Sequence, residues 1–330
     1  IAAPARAARD FVDDAGRRVA LADKVERVYA AGPPASVLVF ALAPEKLLGW
    51  TRAFRPNEKA WVPAKYADLP ELGRLTGRGN TANVEVVLKA KPDLIVDIGS
   101  TAATFASLAD RVQQQTGIPY ILLDGRLETT PAQIEKLASA LGAEARGREL
   151  AAYWKSRIDP LRERIAAIPA DKRPPVYYAR GPQGLVTGLG GSINVEMIEF
   201  LGARNVAGGA KGGLAQVGFE QVVQWDPPVI VTNDPNFMRE VWKAPVWQGV
   251  TAVRKKRVYL SPHLPFGWFD YPPGPNRLVG LLWLAEILYP DHFRHDFPKE
   301  IAAFYKLFYH QEPTAAQVAA LLAEPGVAPR

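Results

Sequence analysis

The sequence predicts an α/β protein built as two similar lobes. Three observations carry that expectation. The same unit occurs once in each half, as NVEVVLKAKPDLIV from Asn83 to Val96 and as GFEQVVQWDPPVIV from Gly218 to Val231. Each copy reads as a short amphipathic helix with a glutamate in its first turn, Glu85 or Glu220, then a Lys-Pro or Asp-Pro break, then an apolar strand. The chain has 330 residues, of which 48% are hydrophobic, which suits two domains with sizeable cores. Strand-like and helix-like segments alternate with short connections, the pattern of a mostly parallel sheet covered by helices. Two lobes imply a cleft between them, where a ligand is expected.

The elements follow in order. Phe11 to Leu21 reads as a hairpin turning at Asp14 and Gly16. Arg27–Ala30 is a strand, and a helix covers 35–42 after Gly32-Pro33-Pro34. Further strands are expected at 47–50, 94–96 and 120–123, and helices at 83–90 and 102–115. From Pro131 a long helical stretch runs to Pro169, and its central position makes it the bridge between lobes. Pro160 should kink or end it. This places an N-terminal lobe at 10–130, the helix at 131–169 and a C-terminal lobe at 170–330. In the second lobe, strands are expected at 175–178, 229–232 and 257–260. Helices are expected at 194–201, closed by Gly202, from Pro275 or Asn276 to Leu288, at 299–309 and at 314–322.

Composition narrows the function. There is no cysteine, which excludes thiol catalysis and cysteine-held metals. A metalloenzyme on a related two-lobed plan would need those ligands. The net charge of +6 fits either a soluble basic protein or an anionic ligand. Basic residues are scattered apart from Arg254–Arg257, and no nucleic-acid motif is present. The stretch GLGGS, 188–192, lacks the lysine of a phosphate loop and the spacing of a dinucleotide fingerprint. Its glycines serve turns or close approach to a ligand. His292 and His295 lack further metal ligands nearby and read as a solvated segment. Neither GxSxG nor HExxH occurs, and Asp13-Asp14 reads as a pair of solvated turn carboxylates. No catalytic site is expected. The opening IAAPARAARDF has no initiator methionine and no apolar core, so it reads as a mature or trimmed terminus.

Ser261 to Pro290, SPHLPFGWFDYPPGPNRLVGLLWLAEILYP, is the densest unusual segment. Its prolines pre-order a loop, and it reads as a rigid ligand-facing wall containing His263 and Trp268.

With these residues in view, the chain resembles the periplasmic substrate-binding proteins of iron-siderophore, haem and vitamin B12 ABC importers. The resemblance rests on four segments in order. They are FVDDAGRRVALADKVERVYA, LPELGRLTGRGNTANVEVVLKAKPDLIV, ARGPQGLVTGLGGSINVEMIEFLGARNVA and QVGFEQVVQWDPPVIVTN. LPFGWFDYPPGPNRLVGLLWL is similar to a subgroup that includes molybdate- and metal-chelate-binding members. The resemblance implies two Rossmann-like lobes joined by one long helix. It implies a monomer, periplasmic or lipid-anchored, that delivers a metal complex to an ABC importer. A ferric chelate comes first among the ligands, with molybdate, tungstate or a nickel chelate as alternatives. It implies no cofactor beyond the ligand, and it makes Glu85 and Glu220 the residues that dock on the permease dimer.

The cleft should be lined by loops after the strands. The candidates are Arg52, Arg55, Ser100, Thr101 and Arg126 in the first lobe and Tyr178, Arg180, Asn233, His263 and Trp268 in the second. Trp268 would offer a flat face to a chelate. Tyr178 and His263 would be the ligands if protein side chains hold metal directly. Ser100, Thr101 and backbone N–H groups would serve an oxyanion.

Overall fold

The computed structural model describes residues 8–77 and 82–327. The opening residues 1–7 and residues 78–81 of the second family-like segment lie outside the described residues. The chain divides into two compact units, one of residues 1–155 and 305–311, the other of residues 156–304 and 312–330.

The first unit begins with a hairpin, β1 (Ala8–Val12) against β2 (Arg18–Ala22), turning through Gly16 at φ +78°. The adjacent carboxylates are not solvated as expected. Asp13 is buried and accepts from the backbone N–H groups of Ala15 (3.0 Å) and Arg17 (2.9 Å), and from Leu122 (3.1 Å). Asp14 accepts from Asp124 N at 2.9 Å and pairs with Lys136. Leu122 and Asp124 belong to the sheet, so the two carboxylates stitch the hairpin to it. A turn carboxylate is solvated by default, but here the turn packs on strands with N–H groups to satisfy.

The sheet is parallel, in the order β3 (Val28–Ala30), β4 (Leu94–Gly99), β5 (Tyr120–Asp124). Between β3 and β4 run α1 (Pro33–Leu42), α2 (Pro56–Lys59), α3 (Ala64–Ala67) and α4 (Val84–Ala90). Then come α5 (Ala103–Thr116), α6 (Thr130–Leu141) and α7 (Glu144–Ala166). The apolar run at 47–50 is no strand. Leu47 and Trp50 form only isolated bridges, to Val28 and Glu71, and Trp50 is buried with its indole N–H donated to Tyr66 O. Short apolar runs signal burial as much as strand. α7 continues past Pro160 for six residues, so the proline does not end it.

In the second unit the parallel sheet has the order β11 (Val258–Leu260), β10 (Val229–Thr232), β6 (Pro175–Ala179), β8 (Arg204–Asn205). The Gly-rich stretch is largely structural, since β7 (Val186–Gly188) pairs antiparallel with β9 (Leu214–Gln216). The helices are α8 (Glu196–Phe200), α9 (Phe219–Trp225), α10 (Pro235–Glu240), α11 (Thr251–Arg254), α12 (Arg277–Leu288), α13 (Phe297–Phe308) and α14 (Ala315–Leu322). α7 and α13 each contribute residues to both units.

The sequence repeat is a structural repeat. α4 and α9 are each seven residues long and bury one valine, Val87 or Val222. Each ends on a left-handed residue, Lys91 at φ 49° or Asp226 at φ 38°, just before a proline. That non-glycine turn lets a helix stop abruptly and the next strand start three residues later in both copies.

Asp97 on β4 holds the loop before α4. Its carboxylate accepts from Thr76 Oγ1 (2.9 Å), Tyr120 OH (3.0 Å) and Ile98 N (2.9 Å). Burial pushes this carboxyl up, against the pull of those three donors. The folded protein therefore keeps the proton to higher pH than the unfolded chain, and this group's contribution to stability is lost as pH rises from 3.8 through the raised value. Asp97→Asn should flatten that decline. Urea unfolding of parent and variant between about pH 4 and pH 8 checks it; parallel pH profiles would show that Asp97 does not titrate in this way.

Candidate functional site

Parallel pairing puts the carboxyl ends of three strands side by side in each unit, and the loops that leave them hold most of the candidate residues. In the first unit, Ser100 and Thr101 follow β4 and Arg126 follows β5. These two loops touch: Gly125 N donates to Gly99 O at 2.8 Å, and a Cβ on Gly125 would come within 2.8 Å of Gly99 Cα. Only glycine permits that approach. Ser100 is exposed and its hydroxyl accepts from Ala102 N at 3.3 Å. Arg126 is exposed, with Nε donating to Asp124 at 2.7 Å. Arg55 is exposed just ahead of α2. Arg52 is different. Its two terminal nitrogens donate to both oxygens of buried Glu58 at 2.7 Å, and Glu58 also accepts from Arg55 N at 2.7 Å. Arg52 thus compensates a buried charge and ties the start of α2, which leaves little of its fork for a ligand.

In the second unit, Arg180 follows β6, Asn233 follows β10 and His263 lies three residues after β11. These are three neighbouring strands. Asn233 stands before the α10 cap, where Asp234 accepts from Asn236 N (2.8 Å) and Phe237 N (3.2 Å). The centre of this edge is Asp270, a side chain with no exposed surface. It pairs with Arg180 Nε at 3.0 Å and accepts from Tyr178 OH at 2.9 Å and from the Asn194 amide. Burial pushes the Asp270 carboxyl up, and Arg180, Asn194, Tyr178 and Arg277 pull it back. Burial also works against the Arg180 charge, but Tyr178, Asp270 and Tyr271 outweigh it and the guanidinium is held more firmly protonated than usual. Behind Asp270, buried Arg277 pairs with Glu196 at 3.2 Å.

Two expectations are overturned. Tyr178 is fully buried, it donates its hydroxyl to Asp270, and burial drives its pKa well above the phenol range. It is no phenolate ligand. Trp268 is 0% exposed and stacks on Phe297 at 6.4 Å between centroids. Its backbone lies against Gly280 of α12, where any Cβ would collide with the Trp268 carbonyl. The ring is core, not a ligand platform. The exposed aromatic of this loop is Tyr271, at 54%. Sequence reasoning missed Asn194 and Tyr271, and it placed Asp270 in a cleft-lining loop, 263–270, without its partners, because no spacing rule joins residues 76 positions apart.

Glu85 and Glu220 are both exposed in the first turns of α4 and α9. Three residues on, each helix exposes an aliphatic side chain, Leu88 at 45% and Val223 at 50%. An i, i+3 pair shares a helix face, so both units present the same combination of charge and grease. No helix among the described residues is long and apolar enough to cross a membrane.

An α/β chain of two such units, with donor-bearing loops at the strand ends, has the build of a protein that holds a small ligand. The chain belongs to the periplasmic binding protein family, whose model matches residues 41–263. It is 28% identical to the molybdate-binding protein MolA of Haemophilus influenzae, over 92% of each chain. It is 26% identical to an uncharacterised ABC transporter substrate-binding lipoprotein of Bacillus subtilis, over 86% of each. The fold matches the ABC transporter solute-binding protein of Sulfurospirillum deleyianum with a TM-score of 0.85 and 28% identity, over 95% of this chain and 98% of that one. The protein is therefore an extracytoplasmic solute-binding component of an ABC transporter and not an enzyme. What it carries is the transported ligand rather than a cofactor of its own.

The burial of Trp268 has a measurable consequence. Trp268→Ala should cost about 3–5 kcal/mol of unfolding free energy through the cavity it leaves, read by urea denaturation. A variant as stable as the parent would put the ring at the surface instead.

Proposed function

We propose that this solute-binding protein takes a tetrahedral oxyanion of the molybdate and tungstate class. The observation that carries this reading is Arg180, held at the end of a central strand by the buried Asp270. A guanidinium oriented this way offers fixed N–H donors at no reorganisation cost. Asp270 offsets its net charge, so recognition runs through directed hydrogen bonds, which suit an anion with four equivalent oxygens. Asn233 and His263 at the neighbouring strand ends add donors. The similarity to a molybdate-binding relative over 92% of both chains supports the reading, as does the overall charge of +6. The ferric chelate expected from the sequence loses two of its three structural supports, because Trp268 and Tyr178 are both enclosed and only His263 keeps exposed surface.

Thermal unfolding with molybdate, tungstate, sulfate, ferric siderophores, haem and cobalamin tests this. Molybdate or tungstate at 100 times Kd should stabilise the protein by about 2.7 kcal/mol. Arg180→Ala should weaken molybdate binding by about tenfold or more, as loss of a charge-assisted hydrogen bond does, measured by calorimetry. A shift with a ferric siderophore and none with either oxyanion would overturn the reading.

The glutamates belong to the same function. Glu85 with Leu88, and Glu220 with Val223, form matched contacts for the permease subunits of the importer. Glu85→Ala with Glu220→Ala should cut uptake in cells and leave ligand affinity unchanged. Each exposed ion pair contributes only about 0–1 kcal/mol, so single changes should be mild. Loss of ligand binding in the double variant would move these residues from docking to ligand recognition.

A further inference from the structure

The chain's C-terminal segment meets His263. Imidazole Nδ1 lies 3.7 Å from Glu324 Oε2. Both atoms are sealed from solvent, and neither has a hydrogen-bond partner among the described residues. The two side chains are nevertheless 28% and 32% exposed. The accessible part of the His263 side chain therefore excludes Nδ1.

The backbone that carries Glu324 is held in place by its neighbours. Leu260 N, at the end of β11, donates to Gly326 O at 2.8 Å. Trp283 Nε1 donates to Val327 O at 2.7 Å, and Val327 is fully buried. Val327 N returns to Glu324 O at 3.1 Å. β11 is an edge strand, and this segment covers the edge. α14 delivers the segment from a capping box of Thr314 and Gln317. Glu324 thus lies two residues before Gly326, whose carbonyl meets the end of the strand that leads to His263.

We propose that Glu324 is a positioning residue for His263: it holds the Nδ1–H proton and the ring orientation, so that Nε2 is the atom His263 presents to a bound oxyanion. A sealed imidazole nitrogen and a sealed carboxylate oxygen are both left unsatisfied unless a proton lies between them. The separation is a few tenths of an ångström beyond hydrogen-bond range, a gap that a small rotation of either side chain closes. When an anion binds, the ring takes up one proton from solvent at Nε2, and then carries Nδ1–H toward Glu324 and Nε2–H toward the ligand. The imidazolium then sits between two negative groups. The pairing of a ligand-binding histidine with a carboxylate behind it fixes tautomer and orientation together. The inference rests on the reading of His263 as a ligand residue.

The test is a nitrogen-15 spectrum of protein labelled in its four histidines, with His263 assigned through His263→Gln. Parent, Glu324→Gln and Glu324→Ala are compared with and without sodium molybdate. Without molybdate, the parent should show His263 protonated at Nδ1, and Glu324→Ala should lose that preference. With molybdate, both ring nitrogens of the parent should be protonated. Both variants should bind molybdate about tenfold more weakly, the scale for loss of such a supporting group. Glu324→Gln keeps the shape of the side chain and guards against a folding defect in Glu324→Ala. A parent ring protonated only at Nε2, or variants that bind molybdate like the parent, would overturn the role of Glu324. If molybdate fails to bind the parent, the oxyanion reading falls, and the ligand-free spectra still decide the His263–Glu324 pair.

Discussion

Parallel strand pairing is the constraint on which the rest of this structure depends. A parallel strand cannot be reached by a tight turn, so the chain must cross back over the sheet before each pairing. Every crossover then leaves from the same edge. In the first unit this gathers the loops after β3, β4 and β5, and in the second the loops after β6, β10 and β11. Candidate donors such as Ser100, Arg126, Arg180, Asn233 and His263 are scattered over 164 positions of sequence. They fall on strand-end loops because of how the sheets are wound. In each unit the row of strand-end loops is a by-product of pairing, furnished with polar side chains.

Loops so placed need something to hold them still, and buried carboxylates do much of that here. Asp13 ties the N-terminal hairpin to β5, Glu58 anchors Arg52 and the start of α2, Asp97 secures the Thr76 loop, and Asp270 gathers Tyr178, Arg180 and Asn194. Each is enclosed by backbone N–H groups, hydroxyls, amides or a guanidinium. An enclosed carboxylate without such donors would cost several kcal/mol. With them it specifies one geometry, since any other arrangement leaves lone pairs unsatisfied. Asp270 has the further effect of fixing the Arg180 guanidinium at the end of a strand.

The repeat of α4 and α9 shows how little sequence such a unit requires. One buried valine and two partly buried neighbours seat each helix, Val86 and Ala90 on α4 and Phe219 and Trp225 on α9, and a left-handed residue before proline stops it. Glu85 with Leu88 and Glu220 with Val223 occupy the outward face in both units. The positions are equivalent because the helices are the same length and meet their strands through the same turn.

The sequence by itself determined the α/β class, the two-lobed plan, most element positions and the family. Periodicity, caps and proline breaks act over a few residues, so they are visible in a linear string. It also marked the 261–290 loop as unusual. Which of its aromatics faces solvent was decided by packing. Trp268 is drawn into the core because α12 presents Gly280 to its backbone, and Tyr271 is left outside. The same distance in sequence hid the role of Asp270, whose partners are Tyr178, Arg180 and Asn194, and that of Glu324 beside His263. Apolar character says that a residue is compatible with burial. Only the folded chain, by filling space and pairing charges between distant segments, decides which compatible residues are buried and which remain for a ligand.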